Sequence, residues 1–368
     1  MTNIEIPNST VVSYNADEKF FSIKNDKIEF EYHAILDIKP KFNPSKYDCY
    51  LLHNNRNEIS ENSIYKVYFD DIRGGWIFPI QALISKEHNY SEDDFFLQYA
   101  YLGMYFLLSS FNEEDIESER LIEEKYDSND HILLIDHDNV KPINNFSINN
   151  YVVSLFKHGY GFNNEGNNIT DEIIIPDKNM KLKSIPQCLI DNVGISFIFK
   201  ELIAKNESEY SLFYVLYQLV EILISKVLVL VFKKQVNSID WDETDLFDKN
   251  DTINKAITEK NRIKALFSEY SKPDNRDVEN LSNVCKRFLI SSRYDTEESL
   301  EDKKCVDNFY RVRCCLVHSL YKYDISTKNL LAEVNKCFLD VIMDILLTFK
   351  EESMSEKYSV HDYTVDKS

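Results

Sequence analysis

An α+β module followed by an all-α helical bundle is the fold class the sequence predicts, and three observations predict it. Short runs alternating apolar and polar residues, the pattern of half-buried strands, are confined to the first half of the chain. Long apolar runs at helical spacing fill the second half. Between them, from Gly159 to Pro186, lies the densest cluster of turn formers, with Gly159, Gly161, Gly166, several Asn and Pro176. These place one module over 1–185, a bundle over 186–352 and a polar, aperiodic tail, read as disordered, over 353–368.

Within the first module, residues 19 to 38 hold β-rich runs such as Lys27-Ile28-Glu29-Phe30-Glu31-Tyr32. Ile64-Tyr65-Lys66-Val67-Tyr68-Phe69 alternates, and Gly74-Gly75 reads as a turn before Trp76-Ile77-Phe78, a pattern of antiparallel sheet. Glu92 to Phe111 reads as a helix with a broad apolar face, and His131-Ile132-Leu133-Leu134-Ile135 as a further strand. In the second half, helices are expected over 189–205, 211–234, 252–271, 277–293, 299–323 and 326–351, with Asp240 to Asp251 as an acidic linker. Ser326 stands where an N-cap would open the last helix, and Leu330, Leu331, Val334, Phe338, Leu339, Val341, Ile342, Ile345, Leu346 and Phe349 give it a core-facing stripe.

Length and composition fit two globular domains: 368 residues, 43% of them hydrophobic and 13% aromatic, supply enough material for two cores. A formal charge of -20 argues against broad, sequence-independent nucleic-acid binding, because phosphate contact is dominated by Lys and Arg. The segment from Lys303 to Lys322 runs the other way, with Lys303, Lys304, Arg311, Arg313 and Lys322 against the single carboxylate of Asp307. Seven cysteines with no C-x-x-C pair, scattered through apolar surroundings, read as reduced, buried thiols rather than a disulfide framework or a zinc site. Met1 to Asp17 lacks the features of a secretory signal, so a cytoplasmic protein is expected. The apolar run Phe213 to Phe232 has the length of a membrane span, but Gln218, Glu221 and Ser225 form a polar stripe and Lys226 adds a charge, which reads as a central bundle helix.

One compact chemical constellation stands out: Tyr310-Arg311-Val312-Arg313-Cys314-Cys315-Leu316-Val317-His318-Ser319. An arginine fork can hold a phosphate, and a histidine is suited to moving a proton near neutral pH. At about 100° per residue Arg311 and His318 share a face, while Arg313 lies about 140° from His318 and must reach around. Phe309, Val312, Leu316 and Leu320 define a buried stripe beside them, so a packed histidine with two salt-bridging arginines is the structural alternative.

The run Arg313-Cys314-Cys315-Leu316-Val317-His318, in a helical region and followed by a long apolar helix, resembles the R-x4-6-H signature of HEPN (higher eukaryote and prokaryote nucleotide-binding) domains. The resemblance spans roughly residues 189 to 350, and Leu316-Val317 before the histidine is common in that family. Arg311 fits the longer spacing and Arg313 the shorter, while Cys314 departs from the polar residue often found after the arginine. The resemblance implies a HEPN-like bundle that dimerises and cleaves RNA, tRNA included, without a metal or cofactor. His318 would act on the ribose 2′-OH, with Arg313 or Arg311 stabilising charge on the scissile phosphate, and product ends would be a 2′,3′-cyclic phosphate and a 5′-hydroxyl. Glu221 would fix the arginine or histidine, Lys304 and Lys322 would contact RNA, and the first module would receive a trigger or inhibitor. Similarity to the Apea-like branch, with its β-containing region ahead of the bundle, implies a toxin or anti-phage effector of the abortive-infection type.

The competing reading is a non-catalytic module binding a nucleotide, RNA or protein partner, which the acidic charge favours. His131, Asp136, His137 and Asp138 crowd a strand end, where a polar turn is the expected reading ahead of a metal site. Gly159-Tyr160-Gly161 fits no phosphate-binding loop, and Cys314 and Cys315 read as packing residues rather than nucleophiles.

Overall fold

The computed structural model describes residues 2–4, 10–55, 60–111, 121–162, 178–206, 208–238, 246–318 and 327–352, which form two compact units dividing between Ser184 and Ile185. The tail over 353–368, Lys322, Leu320 and Ser326 lie outside the described residues.

The first unit is a mixed α/β body. Its strands are β1 (Thr2–Asn3), β2 (Val11–Asn15), β3 (Phe20–Lys24), β4 (Glu29–His33), β5 (Tyr47–Asn54), β6 (Tyr65–Phe69), β7 (Ile72–Pro79), β8 (Asp130–Asp136), β9 (Tyr160–Gly161) and β10 (Asn179–Leu182). The larger sheet runs β1-β5-β8-β7-β6-β10 with β9 also on β5; it is antiparallel except where β10 joins β6 in parallel. β8 is paired on both sides and is buried almost throughout, whereas β6 alternates buried and half-buried residues, each as its sequence pattern requires. β2-β3-β4 form a separate small sheet.

Helix α1 (Asp94–Ser109) packs against β8 of the large sheet and against β2 and β3 of the small one. That sandwich explains why its sequence is apolar nearly all round instead of on one stripe. Asp93 caps it by accepting hydrogen bonds from the amides of Phe95 and Phe96 at 3.0 and 2.7 Å. Short helices α2 (Leu121–Lys125), α3 (His137–Val140) and α4 (Val152–Lys157) complete the described part of the unit.

The turn expected at Gly74-Gly75 is elsewhere. Phe69 pairs with Ile72, so the β6–β7 hairpin turns at Asp70 and Asp71, both with positive φ (46° and 68°), as two-residue hairpin turns demand. Gly74 and Gly75 lie inside β7 because the sheet leaves no room there. A Cβ on Gly75 would stand 1.8 Å from the Leu134 carbonyl oxygen, and one on Gly74 would strike the Phe69 ring at 2.3 Å.

The second unit is helical: α5 (Val193–Phe197), α6 (Glu209–Ser238), α7 (Leu246–Ala256), α8 (Glu259–Ala265), α9 (Asn275–Ser291), α10 (Glu297–Leu300), α11 (Cys305–His318) and α12 (Lys328–Thr348), with π turns extending α5 to Leu202 and α8 to Tyr270. α6 packs on α8 and α12, and α9 on α11 and α12. Phe213, Phe309 and Phe338 from three of these helices meet with ring centroids 4.6 to 6.1 Å apart at the centre. α6 is long and apolar enough to cross a membrane by length and composition, and 44% of its most apolar window is buried within the structure.

Several boundaries differ from the sequence reading. The helix expected over 252–271 breaks between Ala256 and Glu259, and part of the acidic linker is helical in α7. The helix expected over 299–323 is two: Thr296 and Ser299 form a capping box that opens α10, and α11 starts afresh at Cys305. The last helix starts at Lys328, and Thr327 at its N-cap position makes no side-chain capping bond. Leu331, Val334, Phe338, Leu339, Val341, Ile342, Ile345, Leu346 and Phe349 are buried as expected, with Leu330 half-buried.

Candidate active site at the end of α11

α11 forms because Phe309, Val312 and Leu316, at spacings of three and four, bury against α9 and the bundle centre, with Cys315 buried beside them. Its other side carries Tyr310, Arg313 and Cys314, half-buried, and ends in the exposed His318.

Arg313 and His318 come together. Arg313 Nη1 lies 3.4 Å from His318 Nε2, within long hydrogen-bond distance. If the guanidinium donates, Nε2 accepts and the neutral imidazole carries its proton on Nδ1. Arg313 Nη2 stands 3.4 Å from Glu259 Oε1 of α8, and the guanidinium sits over the Tyr217 ring of α6 at 5.7 Å. The Tyr217 hydroxyl donates to the same Glu259 oxygen at 2.7 Å, and Tyr310 reaches the other at 3.4 Å. Burial works against the Arg313 cation, but the Glu259 carboxylate together with Tyr217, Cys314 and Tyr310 outweighs it and holds the guanidinium's pKa above its ordinary value. Burial, reinforced by the bond to Glu259, pushes the Tyr217 phenol well above its usual range. Arg313 Nε is buried without a hydrogen-bond partner among the described residues.

Arg311 has a different partner. Its Nε donates to Asp295 Oδ2 at 2.5 Å and its Nη2 to the other carboxylate oxygen, a two-pronged pair, with the Tyr294 ring 5.8 Å from the guanidinium. The face shared with His318 on an ideal helix therefore does not bring Arg311 to the histidine.

Glu221, expected to hold the arginine or histidine, is exposed on α6, and the carboxylate beside Arg313 is that of Glu259 instead. One turn beyond Tyr217 but rotated about 40° from it, Glu221 misses the direction in which Tyr217 points. Its charge reaches only as far as the Tyr217 phenol. Lys304 precedes the first turn of α11, so the helix itself sets it about 20 Å along the axis from His318. Within one chain it does not reach a phosphate held at the Arg/His pair. Sequence reasoning missed Glu259 and Tyr217 and gave no role to Tyr310, which opens the run it singled out. Tyr217 carried a readable signal, as one of three tyrosines at 210, 214 and 217 with helical spacing, and Glu259 carried none.

Cys315 is buried near the Ser292 hydroxyl at 3.9 Å, a packing residue, and Cys314 is half-buried. Around the first unit's strand end, Asp136 caps α3, and Lys141 and Lys46 hold the Asp138 carboxylate down at about 2. The described residues place another group within metal-ligating distance, His53, Asp127 and Asp130. Its atoms are engaged internally: Asp130 accepts from His53 Nδ1 at 3.3 Å and from the Asp127 amide at 3.1 Å.

No family model, curated protein or solved structure matches this chain.

Proposed function

We propose that the chain is a metal-independent endoribonuclease of HEPN type, acting as a toxin or anti-phage effector in the cytoplasm. The observation that carries the reading is the Arg313–His318 pair at 3.4 Å, exposed at the end of a bundle helix, with the arginine braced by Glu259 and Tyr217. A planar cation beside an imidazole is the minimum that in-line ribose chemistry requires.

In the proposed reaction Arg313 turns from His318 Nε2 to the phosphate, and that freed nitrogen of neutral His318 takes the 2′-hydroxyl proton as O2′ attacks the adjacent phosphorus. The P–O5′ bond breaks and leaves a 2′,3′-cyclic phosphate, and the departing O5′ takes a proton from the imidazolium or from water. Arg313 stabilises charge on the non-bridging oxygens. Of the two arginines in the motif, Arg313 takes the catalytic role and Arg311 a structural one. Two copies pairing through the bundle would supply a second Arg/His pair, and the first unit would receive the trigger or inhibitor. The acidic net charge favours a second reading, a non-catalytic module binding a nucleotide, RNA or protein partner.

The deciding experiment is incubation of full-length wild type and His318→Ala with total RNA and tRNA in excess EDTA. Cleavage by wild type alone, leaving cyclic-phosphate ends, is expected. A wild type that neither cleaves RNA nor differs from His318→Ala in cellular toxicity would leave the binding-module reading in its place.

A further inference from the structure

Tyr210, Tyr214 and Tyr217 occupy one face of α6 at spacings of four and three, and the row leads to the Arg/His pair. Its inner member is structural: Tyr217 is only 4% exposed, and its ring lies against Arg313. The outer two differ. Tyr210 and Tyr214 are half-buried, with ring centroids 4.8 Å apart.

Their hydroxyls are tied to the protein. Tyr210 Oη donates to Tyr214 Oη at 3.0 Å and also approaches the Leu316 carbonyl at 3.4 Å, two residues before His318. Burial first, and then the bond with Tyr210, pushes the Tyr214 phenol up to about 12, while Arg313 draws it down, which places Tyr214 within the field of the site cation. Fixed hydroxyls and partly open rings make a rigid aromatic surface whose ordering is already complete before a ligand arrives.

We propose that Tyr210 and Tyr214 form a stacking platform for an unpaired nucleobase next to the phosphate held by Arg313. The inference rests on the ribonuclease reading of the same site and narrows its substrate to single-stranded RNA.

The charge of the chain supports stacking over electrostatics as the source of affinity. The net charge is -20, and among the described residues Lys304 lies at the far end of α11 and Arg311 is committed to Asp295, so neither is placed to track a phosphate backbone at the pair. Stacked bases supply affinity that depends little on salt and tolerates any base. Duplex RNA keeps its bases paired and would find no such contact.

The test uses full-length protein and a fluorescently labelled, mixed-sequence oligomer made entirely of 2′-O-methyl nucleotides, which binds but cannot be cleaved. Anisotropy is read for the single strand and for its duplex, at two salt concentrations. Wild type is expected to prefer the single strand with a shallow salt dependence. Tyr214→Leu and Tyr210→Leu should weaken binding about 5- to 100-fold, while Tyr214→Phe and Tyr214→Trp, which keep a ring, should retain it. The ring-keeping variants decide the matter if a leucine variant fails to fold. Absent single-strand binding by wild type, equal binding by folded leucine variants, or a Phe variant as weak as the Leu variant would each overturn the platform. Single-strand binding without cleavage of unmodified RNA would instead overturn the catalytic reading alone.

Discussion

Arg311 and Asp295 form a two-pronged ion pair in which both guanidinium edge nitrogens meet both carboxylate oxygens, and the Asp295 side chain is only 5% exposed. This contact ties α11 to the loop after α9. Arg311→Ala leaves a nearly buried carboxylate without its partner and is expected to cost about 1–3 kcal/mol of stability. Arg313→Ala, whose partner Glu259 keeps its bonds to Tyr217 and Tyr310, should lower stability less and abolish cleavage. Thermal unfolding of both variants beside a cleavage assay separates them, and equal loss of stability would refute the division of roles.

Glu259 braces Arg313, so Glu259→Ala should free the guanidinium to swing away. Turnover is expected to fall by up to about 100-fold, with a smaller change in substrate binding. Glu259→Gln, which can still accept from Tyr217, should recover part of the loss. A KM change without a kcat change in single-turnover cleavage would show that Glu259 acts on binding alone.

Gly75→Ala forces a methyl group into the Leu134 carbonyl between β7 and β8, where only backbone shifts can relieve the clash. A destabilisation of about 1–3 kcal/mol is expected, read as a lower denaturant midpoint. An unchanged midpoint would mean that the strands separate freely at this position.

Alkaline pH should loosen the fold through its tyrosines. An unfolded tyrosine releases its proton near 10, but folded Tyr214 holds it to about 12 and Tyr217 is raised further. The folded state therefore binds more protons above pH 10, and the stability present below pH 10 is lost as pH rises through about 12. Tyr214→Phe removes one such group, so its melting temperature should decline less steeply over that window than wild type's. Parallel declines would show that the phenol titrates alike in both states.

How far the sequence disclosed this structure depends on whether the deciding contact was local. The core stripe of α12 and the span of α1 were legible because burial on one or both faces leaves its period in the chain. The β6–β7 turn was misread because a glycine pair looks like a turn, and the approach of Leu134 across the sheet leaves no local trace. Arg311 was favoured by a helical wheel, which counts angles and ignores partners. The rival contact was Asp295, in a loop that the wheel does not contain. Glu259 was invisible for the same reason: its place opposite Arg313 is set by how α8 packs against α6 and α11.

None of the seven cysteines is in a disulfide, and their thiols are graded by depth. Burial pushes the Cys49 thiol in the first unit and the Cys285 thiol in the second well above their ordinary range, so neither offers a thiolate to an alkylating reagent while its unit is folded. Half-buried Cys188, Cys314 and Cys337 stand open to earlier attack. The chain thus carries a built-in pair of chemical clocks: alkylation at Cys49 times the opening of one unit, and alkylation at Cys285 times the other. Mass spectrometry of the two peptides under rising denaturant would tell whether the halves come apart together or in turn.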